Sequence, residues 1–427
     1  MLGTLMLVLF LCLFATVPIA LSLGISTLGV FATQFPSMPM ANNLAQAMIT
    51  SADSFPLMAI PFFMLVGTLM EKTGIARRLV DIASILTGDT PGGLGMAAIV
   101  ASMFFAAISG SGPATAAAIG GIMLPAMIEQ KYSRSYSVGI VSGASIIGPI
   151  IPPSIPMIMY GVTVGVSVTK MFTAGFIPGF MLGGGLCLYN YFVSKKRGYR
   201  GNTVTKTRKE KINTFKGAIP AILMPVIVLG GIYGGIFTPT ECSVVGVVYT
   251  LLVGKFVYHE LTFKKLKESL VEAAITSATI MIIFGPATTF GRLLTIGKIP
   301  TMVTDAMLSF STNKYVIMLI INVLLLIIGM FIDTNSSIVL FAPLFVPILT
   351  SLGFDIYYVG VIMVVNLCIG MLTPPLGANL FVAMRIGNIS LEEALKEALP
   401  VIGVEILILA VMILCPWLIT FLPNLLM

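Results

Sequence analysis

Asp333 is the one charge in a run of 40 residues, Tyr315 to Phe354, and it sits in the polar stretch 331-FIDTNSSIV-339. A carboxylate within such an apolar run is costly, and its default reading is functional. It can balance a cation, accept hydrogen bonds from a solute's hydroxyls, or carry a proton. Asp-Thr-Asn-Ser also suits the cap of a helix starting at Ser336. A second small, polar cluster, 108-ISGSGPATAA-117, interrupts Pro91 to Ile128, 38 residues without a charge. Two proline runs, 149-PIIPPSIPMI-158 and 372-LTPPLGANL-380, add two further breaks. Broken backbone at membrane depth leaves polar groups unpaired and is tolerated where it lines a polar cavity or binds an ion. Helix C-termini offer carbonyls to a cation and helix N-termini offer N–H groups to an anion. Four such breaks are the equipment for coupling a sodium ion to a carboxylate substrate.

The rest of the chain must place these breaks in a membrane. Of its 427 residues 57% are hydrophobic and 10% charged, with a mean hydropathy of +1.04. A soluble domain carries about a quarter charged residues. The apolar segments are continuous rather than alternating, which indicates helices and excludes a β-barrel. The first, Leu5 to Leu23, has no basic flank before it and reads as a retained membrane helix. The five cysteines are scattered singly and His259 has no partner histidine, so no zinc or iron–sulfur spacing exists. No GxxxxGK[ST] loop is present, so the chain itself does not hydrolyse ATP.

Sliding the sequence by 222 positions superimposes Pro125 on Pro347, Gly148 on Gly370 and the pair Pro152-Pro153 on Pro374-Pro375. Gly165 then falls on Gly387, Pro178 on Pro400 and Ser111 on Asp333. These residues fix backbone shape, so the match implies two halves built to one plan, as in many secondary transporters. One straight helix over Pro91 to Ile128 would be about 57 Å long, against a hydrocarbon core of about 30 Å. Each uncharged run therefore reads as a re-entrant hairpin with a polar tip. Between the halves, Ser194 to Lys216 holds nine basic residues and one acidic, a net +8 that leaves −1 elsewhere. The positive-inside rule puts this loop in the cytoplasm, and its shortness argues against nucleic-acid binding.

The tips 109-SGSGPATAAAIG-120 and 333-DTNSS-337, the breaks 152-PPS-154 and 373-TPPLGANLF-381, and 61-PFFMLVGTLMEKTGIARRL-79 resemble the large membrane subunit of tripartite ATP-independent periplasmic (TRAP) transporters, the DctM-like permeases. The resemblance covers the whole chain, with an overall similarity to the sialic acid type. It implies an all-α polytopic membrane protein of two inverted halves, in which a mobile transport domain slides elevator-fashion against a scaffold. It also implies the bacterial inner membrane, coupling to two or more sodium ions, and import of an organic acid such as sialic acid or a C4-dicarboxylate. A periplasmic binding protein would deliver the substrate, and a small four-helix membrane subunit would pack on the scaffold. By position, residues 1–90, 176–272 and 401–427 would be scaffold, and 91–175 and 273–400 the two transport halves. One sodium site would use Ser109, Gly110, Gly148, Ile151 and Pro152. The other would use Gly329, Thr334, Leu372, Thr373 and Pro374. Ser111, Ser154, Asp333, Asn335 and Asn379 would lie near substrate.

Three rival readings follow from the same residues. A stand-alone carboxylate symporter would need no binding protein. A channel is compatible with paired re-entrant loops. An intramembrane enzyme lacks a second facing aspartate, a histidine near the serine clusters and metal ligands. The segments 71–81, 259–273 and 390–399 read as amphipathic interfacial helices.

Overall fold

The computed structural model describes residues 2–34, 38–200 and 207–427. Lys206, one of the basic-loop residues, lies outside them. The first half holds α1 (Leu2–Phe14), α2 (Ile19–Gln34), α3 (Met38–Ala52), α4 (Ala59–Lys72), α5 (Ile75–Thr87), α6 (Gly93–Ser109), α7 (Gly112–Glu129), α8 (Arg134–Ser145), α9 (Ile155–Val164) and α10 (Val168–Arg197). The second holds α11 (Arg208–Tyr233), α12 (Pro239–Leu252), α13 (Phe263–Ile296), α14 (Ile299–Phe310), α15 (Lys314–Phe331), α16 (Thr334–Ser351), α17 (Ile356–Gly370), α18 (Ala378–Gly387), α19 (Leu391–Leu414) and α20 (Trp417–Leu426). No strand occurs among the described residues, and eight helical segments are long and apolar enough to cross a membrane.

The 222-residue offset survives in three dimensions. It lays α7 on α16 residue for residue, α6 on α15, α8 on α17, α9 on α18, α10 on α19 and α5 on α14. Shared punctuation explains the match. Ser111 and Asp333 are the N-caps of α7 and α16, and Ser133 and Asp355 those of α8 and α17. Both Pro152-Pro153 and Pro374-Pro375 are cis. The one large departure is α13, which spans the counterparts of both α3 and α4. The first half breaks there at Asp53-Ser54-Phe55-Pro56, whereas the equivalent Ile275-Thr276-Ser277-Ala278 carries no proline and stays helical.

The halves are inverted. Helices α10 and α19 occupy the same position in the repeat yet run antiparallel. Arg197 at the end of α10 pairs with Glu397 near the start of α19 at 2.8 Å, and mid-helix Gly185 packs on Ile408. The base of the first hairpin, α6–α7, lies at the C-terminal end of α10, where Asn190 Nδ2 donates to the Gly92 carbonyl at 2.9 Å. The base of the second, α15–α16, lies by the opposite end of α10, where Lys170 sits 5.3 Å from the ring of Tyr357 and Lys314 sits over Phe354. The hairpins therefore enter from opposite faces. The first face also carries the basic loop.

Three local expectations need correction. The apolar run Leu5–Leu23 is two helices, because Thr16 takes a left-handed φ of 60° and Pro18 cannot continue α1. The helix expected from Ser336 begins at Thr334, since Asp333 caps it directly. The amphipathic segments 71–81, 259–273 and 390–399 are not separate interfacial helices: Glu71 and Lys72 end α4, and left-handed Gly74 parts them from Arg77, Arg78 and Asp81 of α5. Glu268 and Glu272 lie in the first turns of the 34-residue α13, paired with Lys72 at 3.7 and 3.1 Å, and Glu392 and Glu393 open the 24-residue α19.

Candidate substrate and cation site

The two hairpin tips meet at one cavity of about 480 Å³. Gly110, Ser111 and Gly112 line it from the first tip, and Asp333, Thr334 and Asn335 from the second. Pro149, Ile155 and Pro156 of the first break, with Met371 and Ala378 of the second, complete this side. The opposite wall belongs to α4 and α13, from Met64 to Glu71 and from Glu272 to Ile280. Glu71, Glu272 and Asp333 are the charged residues of the lining, which has no lysine or arginine. The cavity opens beside Glu71 at the end of α4 and Glu272 of α13, both exposed, on the face of the basic loop, where Arg78 of α5 pairs with Glu260 and the nearby Tyr258 hydroxyl donates to the Gly217 carbonyl of α11.

Four helices begin around this space: α7, α16, α9 and α18. Their free N–H groups form a field suited to an anion. Asp333 spends part of its charge locally. Its Oδ1 accepts from the N–H groups of Asn335 at 3.0 Å and Ser336 at 3.2 Å, and the Ser336 hydroxyl donates to Oδ2. Asn335 Oδ1 is buried and without a partner. Asn379 is fully buried, and neither of its amide atoms has a partner. It packs against the start of α7, where a Cβ on Gly112 would fall 2.6 Å from Nδ2 and 2.8 Å from Oδ1. Ser154 does not line the cavity. It caps α9, accepting from Met157 N–H at 3.2 Å and donating to the Pro149 carbonyl, and so fixes the shape of the first break.

Oxygens gather behind the first tip. A Cβ on Gly148 would meet Thr115 Oγ1 at 2.5 Å, the Ser111 carbonyl at 2.7 Å and the Ser145 carbonyl at 3.0 Å. Ser109 Oγ lies 3.3 Å from Thr115 Oγ1. Hydroxyls and carbonyls from α6, α7 and α8 thus converge where only glycine fits, a donor set that suits a hard cation. Gly110, at φ +59°, folds the tip so closely that a Cβ would fall 2.7 Å from the Pro153 carbonyl. Ile151 turns its side chain away onto Gly179 of α10, and Pro152 forms the cis bond behind it.

The second half repeats the approach with backbone alone. A Cβ on Gly370 would fall 2.6 Å from Gly329 Cα and 2.9 Å from its carbonyl oxygen, and one on Gly329 would meet the Leu367 carbonyl at 3.0 Å. Thr334 Oγ1 lies 4.0 Å from Cys368 Sγ. Leu372 N–H donates to Ile369 and Thr373 N–H to Gly370, so the broken end of α17 tightens rather than stops. Pro374 opens the cis pair, and Leu376 N–H donates to the Met330 carbonyl, binding this break to its own hairpin.

Four further polar residues near the two clusters were not singled out by the sequence. Thr115 had a signal, since it stands one turn beyond Ser111 on the same helix. Asn322 and Asn366 form a buried pair between α15 and α17, with Nδ2 of Asn366 2.7 Å from Oδ1 of Asn322. Each is a lone polar residue in an apolar run, a weak signal by itself. Glu405 is fully buried in α19 against Gly143 of α8, and neither carboxylate oxygen has a partner.

The family model for the tripartite ATP-independent periplasmic transporter, DctM component, matches residues 6–418. The chain belongs to the DctM family. It is 44% identical over 92% of its length to the isethionate TRAP transporter permease protein DctMQ of Oleidesulfovibrio alaskensis, of which it spans 62%. It is 38% identical over 99% of its length to the sialic acid TRAP transporter permease protein SiaT of Haemophilus influenzae, of which it spans 68%. Its fold is similar to a crystal structure of the Alcanivorax borkumensis YdaH transporter, at a TM-score of 0.62 and 14% identity, covering 88% of both chains. That structure is described as having an unusual topology. A family of permeases accounts for the multi-pass helices and leaves the enzyme reading without support.

Proposed function

We propose that the chain is the large permease subunit of a sodium-coupled importer of a small organic anion. The observation that carries this reading is the cavity between the tips. It holds three carboxylates and no cationic side chain, so helix N-termini are the anion's only built-in positive field. An anion is stabilised there when cations fill the adjoining oxygen clusters at Gly148 and Gly370. This makes the substrate's affinity depend on sodium, which is coupling in its simplest thermodynamic form. Carbonyls and hydroxyls at the first cluster, and backbone carbonyls at the second, suit sodium.

On this reading the basic loop is cytoplasmic, and the cavity is open to the cytoplasm of a bacterial inner-membrane protein. The hairpins and broken helices would form the moving body of an elevator, with α4 and the start of α13 among the fixed walls. A periplasmic binding protein and a small membrane subunit would complete the assembly. A sulfonate or carboxylate comes first among the substrates we propose, a choice supported by relatives named for isethionate and for sialic acid, and sialic acid remains the expectation from resemblance.

The test is uptake into proteoliposomes containing the chain and its small subunit. Radiolabelled isethionate, sialic acid and succinate would be offered with and without the cognate binding protein. Uptake that requires both an inward sodium gradient and the binding protein supports the proposal. Uptake driven by sodium alone identifies a stand-alone symporter. Flux indifferent to any ion gradient rejects coupling altogether.

A further inference from the structure

We propose that a second cavity, on the face opposite the basic loop, is an anion-capture vestibule built around Arg292. The inference rests on the anion-import reading for its direction, though not for its geometry. This cavity measures about 360 Å³ and shares no lining residue with the first. It is the repeat image of the first. The inner cavity is walled by α4, α7 and the first half of α13; the outer one by their counterparts, the second half of α13, α16 and the end of α3. Ala117 lines one and Val339, its partner at the 222 offset, lines the other.

A single stripe of α13 runs through both. It lines the inner cavity from Glu272 to Ile280 and the outer from Phe284 to Thr295, at the spacing of one helix face. Glu272 and Arg292 are 20 residues apart, about 30 Å along the axis and about the thickness of the hydrocarbon core. The repeat reproduces the walls but not the charge. The inner rim carries Glu71 and Glu272, with Lys72 pairing Glu272 from outside the lining. The outer cavity has Arg292 as its sole charged residue. Among the described residues no carboxylate forms an ion pair with Arg292, which is exposed.

A second observation points the same way. Thr163 Oγ1, across this cavity, is buried and has no hydrogen-bond partner. Thr288 and Thr295 on the α13 side already donate to the Phe284 and Gly291 carbonyls, which leaves Thr163 as the free hydroxyl donor of the lining. A guanidinium with a free hydroxyl donor facing it is chemistry that recognises a carboxylate or sulfonate. The anion is drawn in where the rim is positive, and the acidic rim on the other face shortens its stay once it crosses. Such rim charges act mainly on association rate and on its salt dependence.

The same guanidinium chemistry would serve a lipid phosphate, and the test separates the two. The full chain in phosphatidylcholine nanodiscs is treated with phenylglyoxal, and modification of each arginine is followed by mass spectrometry. Sodium-free buffer keeps this readout independent of coupling. Ethanesulfonate at millimolar concentration should slow modification of Arg292 at least fivefold and leave Arg77, exposed on the other face, unaffected. Thr163→Val should weaken that protection, and uncharged ethanol should give none. Equal protection at both arginines, or none at Arg292, overturns the proposal. So does protection that comes from added phosphatidylglycerol and that ethanesulfonate does not increase. In uptake, Arg292→Gln should raise the external KM about tenfold with little change in kcat, and Arg292→Lys should recover part of it. Protection of Arg292 in a protein whose uptake ignores sodium would sink the coupling mechanism and leave the vestibule standing.

Discussion

Gly148→Ala tests the first oxygen cluster directly. The added methyl would fall 2.5 Å from Thr115 Oγ1, 2.7 Å from the Ser111 carbonyl oxygen and 3.0 Å from that of Ser145. Thr115 cannot simply swing aside, because its hydroxyl donates to the same Ser111 carbonyl at 2.7 Å. The two carbonyls belong to the hairpin tip and to the broken end of α8, so relief requires parting these elements. Inserting one methyl into a well-packed site costs about 1–3 kcal/mol. If that strain falls on the cation-loaded state, sodium affinity drops roughly 5- to 150-fold at 1.4 kcal/mol per decade. The assay is the sodium concentration giving half-maximal uptake, alongside the rise in melting temperature that sodium produces. Gly121→Ala, in α7, is the control, since its Cβ would meet nothing within 4 Å. A folded Gly148→Ala protein with an unchanged sodium dependence would refute the assignment of a cation to this cluster.

Gly370→Ala should be harsher, because its methyl meets only the backbone of Gly329 and no side chain can yield; loss of folded protein in size-exclusion chromatography is the expected result. Asp333→Ser keeps a competent cap on α16 while deleting the charge, so thermal stability should change by no more than about 1 kcal/mol while uptake is lost. Asp333→Ala should lose both, and equal uptake by wild type and the serine variant would reduce Asp333 to a cap. Asn379→Leu removes two buried, unpartnered amide atoms, each costing about 1–3 kcal/mol, and should raise the melting temperature while abolishing uptake. Thr115→Val should weaken sodium dependence without altering the response to a saturating sodium gradient.

Backbone punctuation was the legible part of this sequence. Proline and glycine at a fixed offset marked both breaks, because those residues restrict φ or permit what others cannot, and small polar clusters in apolar runs marked both tips. The same reasoning misplaced Leu5–Leu23, where composition looked continuous and a single left-handed Thr16 decided otherwise. It also cut α13 short, since a charged amphipathic start does not reveal whether a helix goes on into the membrane. Side-chain roles were legible only where chemistry was conspicuous. Asp333 stood out as a lone charge and does reach the cavity, where it also serves as a cap. Ser154 looked equally suited to substrate and is wholly engaged in capping α9. Thr115 and Glu405 gain meaning from what packs on them, Gly148 and Gly143, and no single-chain pattern reports such contacts.

The repeat explains why the chemistry is unevenly spread. Duplication of one plan fixes two hairpins, two breaks and two glycine contacts, because each depends on backbone shape. It does not oblige matched positions to keep matched side chains. Ser111 and Asp333 are both N-caps, so either residue satisfies the fold, and the second half is free to use a carboxylate. At Gly148 the oxygens come from two hydroxyls and two carbonyls, whereas Gly370 meets backbone. The paired cavities diverge in the same manner, with Glu272 at one end of the α13 stripe and Arg292 at the other. Symmetric backbone supplies two equivalent openings; on the proposed import reading, asymmetric charge distinguishes the side where an anion would be taken up from the side where it would be released.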